Sequence, residues 1–365
     1  MKMVLDKNHI GIINYESARK LPQVYLGHIG FLILDESQRC RSQDSLTTKF
    51  FIGPPNGKSI GLADLVPYRL IMTGTPAPNS PIEYWGQMAV VDKKILGNNF
   101  YVFRASNFYA GGFCGYQWKV RSDRKDWIMD QVKSKAFYIS KDECLDLPDQ
   151  IFTHKTFQMS KDLQLAYDSM KKENLLSLKG ATVLGIVELA KIMKLRQITS
   201  GFVIDQQGKA HKLSDDKFKL LDETLDEIGH DKQVIIWCQF HYEIQELMLR
   251  LGDKVCALYG DMTQAAKEAS IKDFIAGKRT YLVAHPKTGG VGLTFTNCSY
   301  NVYFSMDYSY ESFKQSQDRT HRIGQSKKVT YISLLAEDTI DGIIYKALTK
   351  KQDISQTMLR MINNE

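Results

Sequence analysis

The sequence is poor in the features that staple extracellular, zinc-bound or membrane proteins together. Its six cysteines (Cys40, Cys114, Cys144, Cys238, Cys256 and Cys298) include no C-x-x-C pair. That argues against a disulfide framework and a zinc ribbon, and for a reducing, intracellular compartment. The eight histidines fall at no ligand spacing, so no zinc is expected. No stretch approaches the ~20 apolar residues of a membrane span; the strong runs are short ones such as Phe31-Leu32-Ile33-Leu34. The N-terminus mixes apolar residues with Asp6, Lys7, Asn8 and His9 and so lacks a signal-peptide core. There is no internal repeat and no low-complexity tract.

What is present is an ordinary globular composition. The chain has 365 residues, 43% of them hydrophobic, enough for two domains or for two lobes and an insert. The net charge is +7, a mild basic excess that permits a polyanionic partner without requiring one.

From Val234 to Ala336 short apolar runs alternate with amphipathic patterns. Val234–Trp237, Val255–Leu258, Tyr281–Ala284, Asn301–Phe304 and Val329–Ile332 read as strands, and His241–Leu251 and Thr263–Ile275 as helices. That alternation predicts a parallel sheet flanked by helices. Nearer the N-terminus, Phe31–Leu34 and Leu70–Met72 read as strands ending abruptly in Asp35-Glu36 and Thr73-Gly74-Thr75-Pro76. Ligands bind beyond the carboxyl ends of parallel strands, so these two ends suggest one shared site. Between the two regions lie a Gly- and aromatic-rich part, Phe108–Trp127, and helical patterns at Lys161–Leu178 and Thr182–Gln197. Apolar positions from Thr339 to Ile362 suit one helix, or two, packed back on the second region. The expected division is 1–91, 92–208 (insert and linker), 209–338 and 339–365.

Three motifs carry chemistry. An Asp directly after a strand can hold Mg²⁺ largely through water, and a neighbouring Glu can orient or deprotonate an attacking water; Asp35 and Glu36 are so placed, although a bare Asp-Glu pair is equally an ordinary strand end. In Gln315–Gln325 the guanidiniums of Arg319 and Arg322, three apart, would share a face on a helix and fit a phosphate chain. Thr288–Thr294 is a Gly-rich loop whose backbone N–H groups can approach phosphate, though a turn explains it equally well.

The order Asn14-Tyr15-Glu16, Asp35-Glu36-Ser37-Gln38, Thr73-Gly74-Thr75-Pro76, Thr288–Thr294 and Gln315–Gln325 resembles the Swi/Snf-type ATPases of helicase-like superfamily two. Leu145-Asp146-Leu147-Pro148 and Trp237-Cys238-Gln239-Phe240 match as well. The likeness is greatest to compact bacterial and viral forms. It implies an α/β fold of two RecA-like parallel-sheet lobes, the first truncated at its N-terminus, with a mainly helical insert between them. It implies ATP and Mg²⁺ as cofactors and duplex DNA as partner, with no membrane association and a cytoplasmic, DNA-associated location. Carried over by residue, Asp35 and Glu36 are the Mg²⁺ and water residues, and Arg319 and Arg322 the arginine fingers. Gln38, Thr73, Gly74, Thr75, Gly290, Gly292 and Gln315 sense the nucleotide or couple it to movement. Gln239, Gly260, Thr263, Lys287 and Thr288 lie near the DNA track.

The sequence departs from that family in one respect. No Gly-Lys-Ser or Gly-Lys-Thr stands before Asp35. Gly53-Pro54-Pro55-Asn56-Gly57-Lys58-Ser59 has three residues rather than four between its glycines, two of them prolines without an N–H, and reads as a surface turn. The expectation is a DNA translocase whose phosphate loop comes from an upstream half, on the same or a separate polypeptide, with the isolated chain a weak or inactive ATPase and its first sheet exposing an edge and an apolar face. The alternative is a remnant that binds DNA or a partner without hydrolysis. A minor departure is Gln38, where the family has His.

Overall fold

In the computed structural model, which describes residues 10–20, 29–111, 117–139, 144–173, 181–289 and 292–350, the chain divides into two compact units. The first comprises Met1–Ile139 with Lys351–Glu365, the second Ser140–Lys350. The stretch 92–208, expected as an insert and linker, is therefore shared between them.

The second unit is built on six parallel strands, β5 (Gln150–Phe157), β8 (Val234–Trp237), β9 (Val255–Leu258), β10 (Tyr281–Ala284), β11 (Tyr300–Tyr303) and β12 (Val329–Ala336), in the order β5-β12-β11-β8-β10-β9, while β6 (Phe202–Ile204) and β7 (Ala210–Lys212) form a separate antiparallel pair. Val-Ile-Ile-Trp and Tyr-Leu-Val-Ala are buried at every position because helices cover both faces of a parallel sheet. Helices Asp216–Ile228 and His241–Leu251 pack their apolar residues with one layer of core, around Phe218, Leu221, Ile244 and Leu247. Phe274 from helix Gln264–Ile275 and Ile340, Ile344 and Leu348 from the helix at 340–350 join the other. Of the stretch 339–365 expected to be helical, residues 340–350 form this helix and residues 351–365 lie outside the described residues.

In the first unit, β1 (Phe31–Leu34) and β2 (Tyr68–Ile71) pair in parallel, Phe31 opposite Tyr68 and Leu34 opposite Ile71. Among the described residues this parallel sheet has no third strand. Leu34 enters a core with Trp85, Phe100, Phe103, Phe108 and Ile128, whereas Phe31, Ile33, Tyr68 and Leu70 stay exposed. Helix Leu46–Ile52 starts at Ser45, whose hydroxyl accepts from Thr48 N at 3.0 Å. It precedes Gly53, so the Gly53–Ser59 segment follows a helix rather than the strand that a phosphate loop follows. Gly53 takes a left-handed φ of 79° at the helix end, and Lys58 is exposed; this is a helix-terminating turn. The aromatic-rich segment forms an antiparallel hairpin, β3 (Phe108–Gly111) with β4 (Gln117–Val120), between helices Phe100–Asn107 and Lys125–Lys133.

Candidate functional site

In the first unit the ends of β1 and β2 are tied together. Met72 N donates to Leu34 O and Ser37 N to Met72 O, each at 2.9 Å. This extends the strand pairing into the Asp35-Glu36-Ser37-Gln38 and Thr73-Gly74-Thr75 segments. Glu36 sits at a left-handed φ of 53°, a conformation that costs a non-glycine residue and concentrates at functional positions. Its Oε2 accepts from Gln38 Nε2 at 2.5 Å, and Gln38 Oε1 accepts from the Thr73 hydroxyl at 2.6 Å. Thr73 Oγ1 in turn accepts from Thr75 N at 3.1 Å. A relay therefore runs from the carboxylate of one strand end to the loop of the next, with Gln38 as its middle link. Beneath it, Ser37 donates to Gln87 Oε1 at 3.0 Å, and Gln87 Nε2 donates to Glu83 O and to Pro76 O. Gln87, buried on helix Tyr84–Val91, was not foreseen; nothing in sequence spacing distinguishes it from a surface glutamine.

Asp35 is exposed. One carboxylate oxygen accepts from Glu36 N at 3.0 Å, and its main-chain carbonyl accepts from Tyr15 Oη at 2.6 Å. Burial pushes the Tyr15 phenol up, which keeps it a donor. The second Asp35 oxygen has no hydrogen-bond partner among the described residues, which suits a cation held mainly by water and phosphate oxygens. No group of three or more His, Cys, Asp or Glu able to hold a metal occurs among the described residues. Gly74 is exposed with open space about it.

In the second unit the Gln315–Gln325 string is anchored at several points. Helix Tyr310–Gln317 ends before the arginines, so Arg319 and Arg322 do not share a helix face. They converge nonetheless: Arg319 Nη1 donates to Leu293 O at 2.9 Å and Arg322 Nη1 to Thr294 Oγ1 at 3.2 Å. Arg319 Nε also donates to Gln315 O at 3.1 Å, and its side chain is buried, whereas Arg322 is exposed. The residues between are brackets. Asn301, held by Trp237 Nε1, donates to Thr320 Oγ1 at 2.9 Å; His321 bonds Pro148 O at 2.8 Å; Gln325 donates to Cys298 O at 3.0 Å. Gly292 takes a left-handed φ of 69°, and Gly290 lies outside the described residues.

At the carboxyl end of β8, Gln239 N donates to Ser305 Oγ at 2.8 Å and to Glu243 Oε2 at 3.0 Å. Glu243 also accepts from Phe240 N and from the Ser305 hydroxyl. Full burial raises the pKa of Glu243 above the usual carboxylate range despite these donors. Its signal was a glutamate three residues after the first residue flanking a helix, the spacing of a capping residue. Gln239 lines a small cavity with Pro286, Tyr303, Met306 and Asp307. His285, at the end of β10, is held below its ordinary pKa by burial and by Lys287, and its Nδ1 accepts from Lys287 N. Lys287 and Thr288 form part of the short helix Pro286–Gly289. Gly260 O accepts from Lys267 Nζ at 3.0 Å, and Thr263 caps helix Gln264–Ile275. Burial drives the thiols of Cys40, Cys256 and Cys298 up to about 12 and raises that of Cys238 well above its ordinary value, which makes them inert packing residues. Among the described residues no helix is long and apolar enough to cross a membrane.

Comparison with known proteins places these motifs in context. The model of the SNF2-related domain matches residues 1–201, and that of the helicase conserved C-terminal domain matches residues 216–324. An uncharacterized ATP-dependent helicase of Mycoplasma genitalium is 24% identical over 98% of this chain and 33% of its own length. Protein p41 of Acyrthosiphon pisum secondary endosymbiont phage 1 is 23% identical over 99% of this chain and 79% of its own. The nuclear protein STH1/NPS1 of Saccharomyces cerevisiae is 28% identical over 80% of this chain and 24% of its own. The chain thus spans a third or less of the Mycoplasma and yeast proteins.

Proposed function

The chain belongs to the SNF2-related family, and from that premise we propose that it is the nucleotide-sensing and DNA-gripping part of an ATP-driven translocase on duplex DNA. The phosphate loop comes from polypeptide outside these 365 residues, carried on a preceding segment or a separate chain. The observation that carries the reading is the Glu36–Gln38–Thr73 relay. It links a carboxylate able to orient water to a loop on the neighbouring strand, which is what nucleotide-state sensing requires.

Asp35, with one oxygen open, would hold Mg²⁺ through water. Mg²⁺-ATP, when bound, supplies the phosphoryl group and screens its charge. Glu36 orients the attacking water and accepts its proton. Gln38 and Thr73 report the position of that carboxylate to Gly74 and Thr75. Arg322, with its exposed guanidinium, neutralises phosphate charge as it builds up. Arg319 holds Leu293 through its guanidinium and Phe295 through its main-chain carbonyl, and is itself held by the carbonyl of Gln315, with Gly292 next to this segment. Gln239, Gly260, Thr263, Lys287 and Thr288 contact the phosphodiester backbone, which gives salt-dependent, largely sequence-independent binding.

The test mixes the chain with a polypeptide carrying a Gly-Lys-Thr loop from a relative and measures ATP hydrolysis with and without duplex DNA. DNA-stimulated hydrolysis is expected, and Arg322→Ala should lower it by about 10³-fold or more. Hydrolysis by the Arg322→Ala mixture at the unmutated rate would remove Arg322 from the mechanism. Duplex binding indifferent to ATP and to Glu36→Gln, without hydrolysis, would leave the non-hydrolytic remnant.

A further inference from the structure

Residues 100–139 hold seven Lys and Arg against three Asp and Glu, an excess of four within a chain whose total excess is +7. The structure shows where that charge is unbalanced. Among the described residues Arg104, Lys119, Arg121 and Lys125 have no carboxylate within ion-pair distance, while Asp123 is engaged by Arg124.

Arg104 is distinctive. It lies on helix Phe100–Asn107, and its guanidinium sits 4.2 Å from the centroid of the Trp118 ring and 5.6 Å from those of Phe100 and Tyr101. Its side chain makes no hydrogen bond among the described residues. Cation–π contact fixes the plane of the guanidinium yet leaves its N–H edges available. Two of the rings are open to solvent: Tyr101 is 45% exposed and Trp118 37% exposed. The hairpin explains why. Phe108 turns into the core at 1% exposure, and its cross-strand partner is Val120. Trp118, paired with Ala110, stands further along the ribbon, where a small partner leaves one side of the indole uncovered.

We propose that Tyr101, Arg104 and Trp118 form a docking surface for single-stranded DNA, apart from the duplex contacts assigned to the second unit. The unneutralised cations attract a polyanion. Open rings fixed beside an arginine offer base-stacking platforms, and stacking on aromatic side chains is how sequence-tolerant single-strand binders hold their ligand. A duplex already stacks its bases on one another and presents none to an exposed indole. An acidic peptide would satisfy the cations but leave the rings bare. The surface needs neither nucleotide nor an added phosphate loop, so it stands or falls apart from the translocase reading.

The test uses the 365-residue chain and a 20-nucleotide oligo(dT). Trp85 and Trp237 are fully buried, whereas Trp118 and Trp127 are exposed, so the oligonucleotide should quench a distinct solvent-exposed fraction of the emission. Trp118→Ala should abolish most of that quenching. It should also weaken binding of a labelled oligo(dT), read by anisotropy, by about ten-fold; Trp118→Phe should restore affinity to within about three-fold of the parent. Tyr101→Ala should weaken binding about ten-fold while the Trp118 signal remains, and Arg104→Ala should reduce the slope of log affinity against log salt by about 0.7. Binding unchanged in both Trp118→Ala and Tyr101→Ala, no binding by the parent chain, or equal competition by a 20-base-pair duplex or by polyglutamate would each overturn the proposal.

Discussion

Lys217 is 1% exposed and reaches Asp341 at 2.7 Å. The other oxygen of Asp341 accepts from the Thr199 hydroxyl at 2.9 Å, and Ala336 N donates to the first at 3.3 Å. The cluster joins a helix of the sheet's flank, the end of a second helix, the last residue of β12 and the start of the helix at 340–350. A buried pair of this kind adds little net stability over an apolar substitute, because desolvating both ions offsets their attraction. Breaking it is different, since one charge is then stranded. Lys217→Met should therefore destabilise the second unit by about 3–5 kcal/mol in urea unfolding followed by circular dichroism. Adding Asp341→Leu should recover most of the loss. A double variant no more stable than the single one would mean that the pair's charge is not what the fold depends on. The same logic bears on Glu243, a buried acid with three donors on one oxygen: it organises the Gln239 turn from behind.

At the scale of elements, Gly86 shows packing overruling local preference. It lies inside helix Tyr84–Val91, where alanine is intrinsically better by about 0.5–1 kcal/mol. A Cβ there would meet the carbonyl oxygen of Cys40 well inside contact distance, because the helix crosses the backbone of the segment after Asp35-Glu36. Gly86→Ala should thus destabilise the first unit by about 1–3 kcal/mol, the reverse of its propensity, measured as a lowered melting temperature. A variant at least as stable as the parent would show that the helix can slide. Close approaches of this sort are not written in periodicity. What was written there came through: Val234–Trp237 and Tyr281–Ala284 are buried on both faces and so read as unbroken apolar runs, and His241–Leu251 has the bounds its pattern gave. β5 was missed because Thr153, His154 and Lys155 break such a run, as suits an edge strand with one side open. In the arginine string the spacing made Arg319 and Arg322 equivalent. Only the helix end at Gln317 and the carbonyl of Leu293 separate the buried one from the exposed one. The neighbourhood of the Asp-Glu and Thr-Gly-Thr segments was legible because each closes a strand. The Gln38 link between them was not, since it depends on a left-handed turn at Glu36.

Among the described residues the parallel sheet of the second unit has six strands and that of the first only two. Parallel strands ordinarily have both faces covered, yet Phe31 stacks on Tyr68 with ring centroids 6.3 Å apart, beside Ile33 and Leu70, all open to solvent. Two long-range tendencies then oppose each other. A net charge of +7 keeps copies of the chain apart, while the bare apolar stripe draws them together. Salt decides between them, because at about 0.15 M the Debye length is only ~8 Å and repulsion fades while apolar contact does not. Self-association in sedimentation velocity should therefore increase between low and physiological salt, accompanied by binding of an apolar dye. Placing lysines at Ile33 and Leu70 together should suppress both, with secondary structure unchanged, since neither side chain is in the core. Dye binding and association that persist in the doubly substituted chain would show that the stripe is covered in solution and that the attraction arises elsewhere.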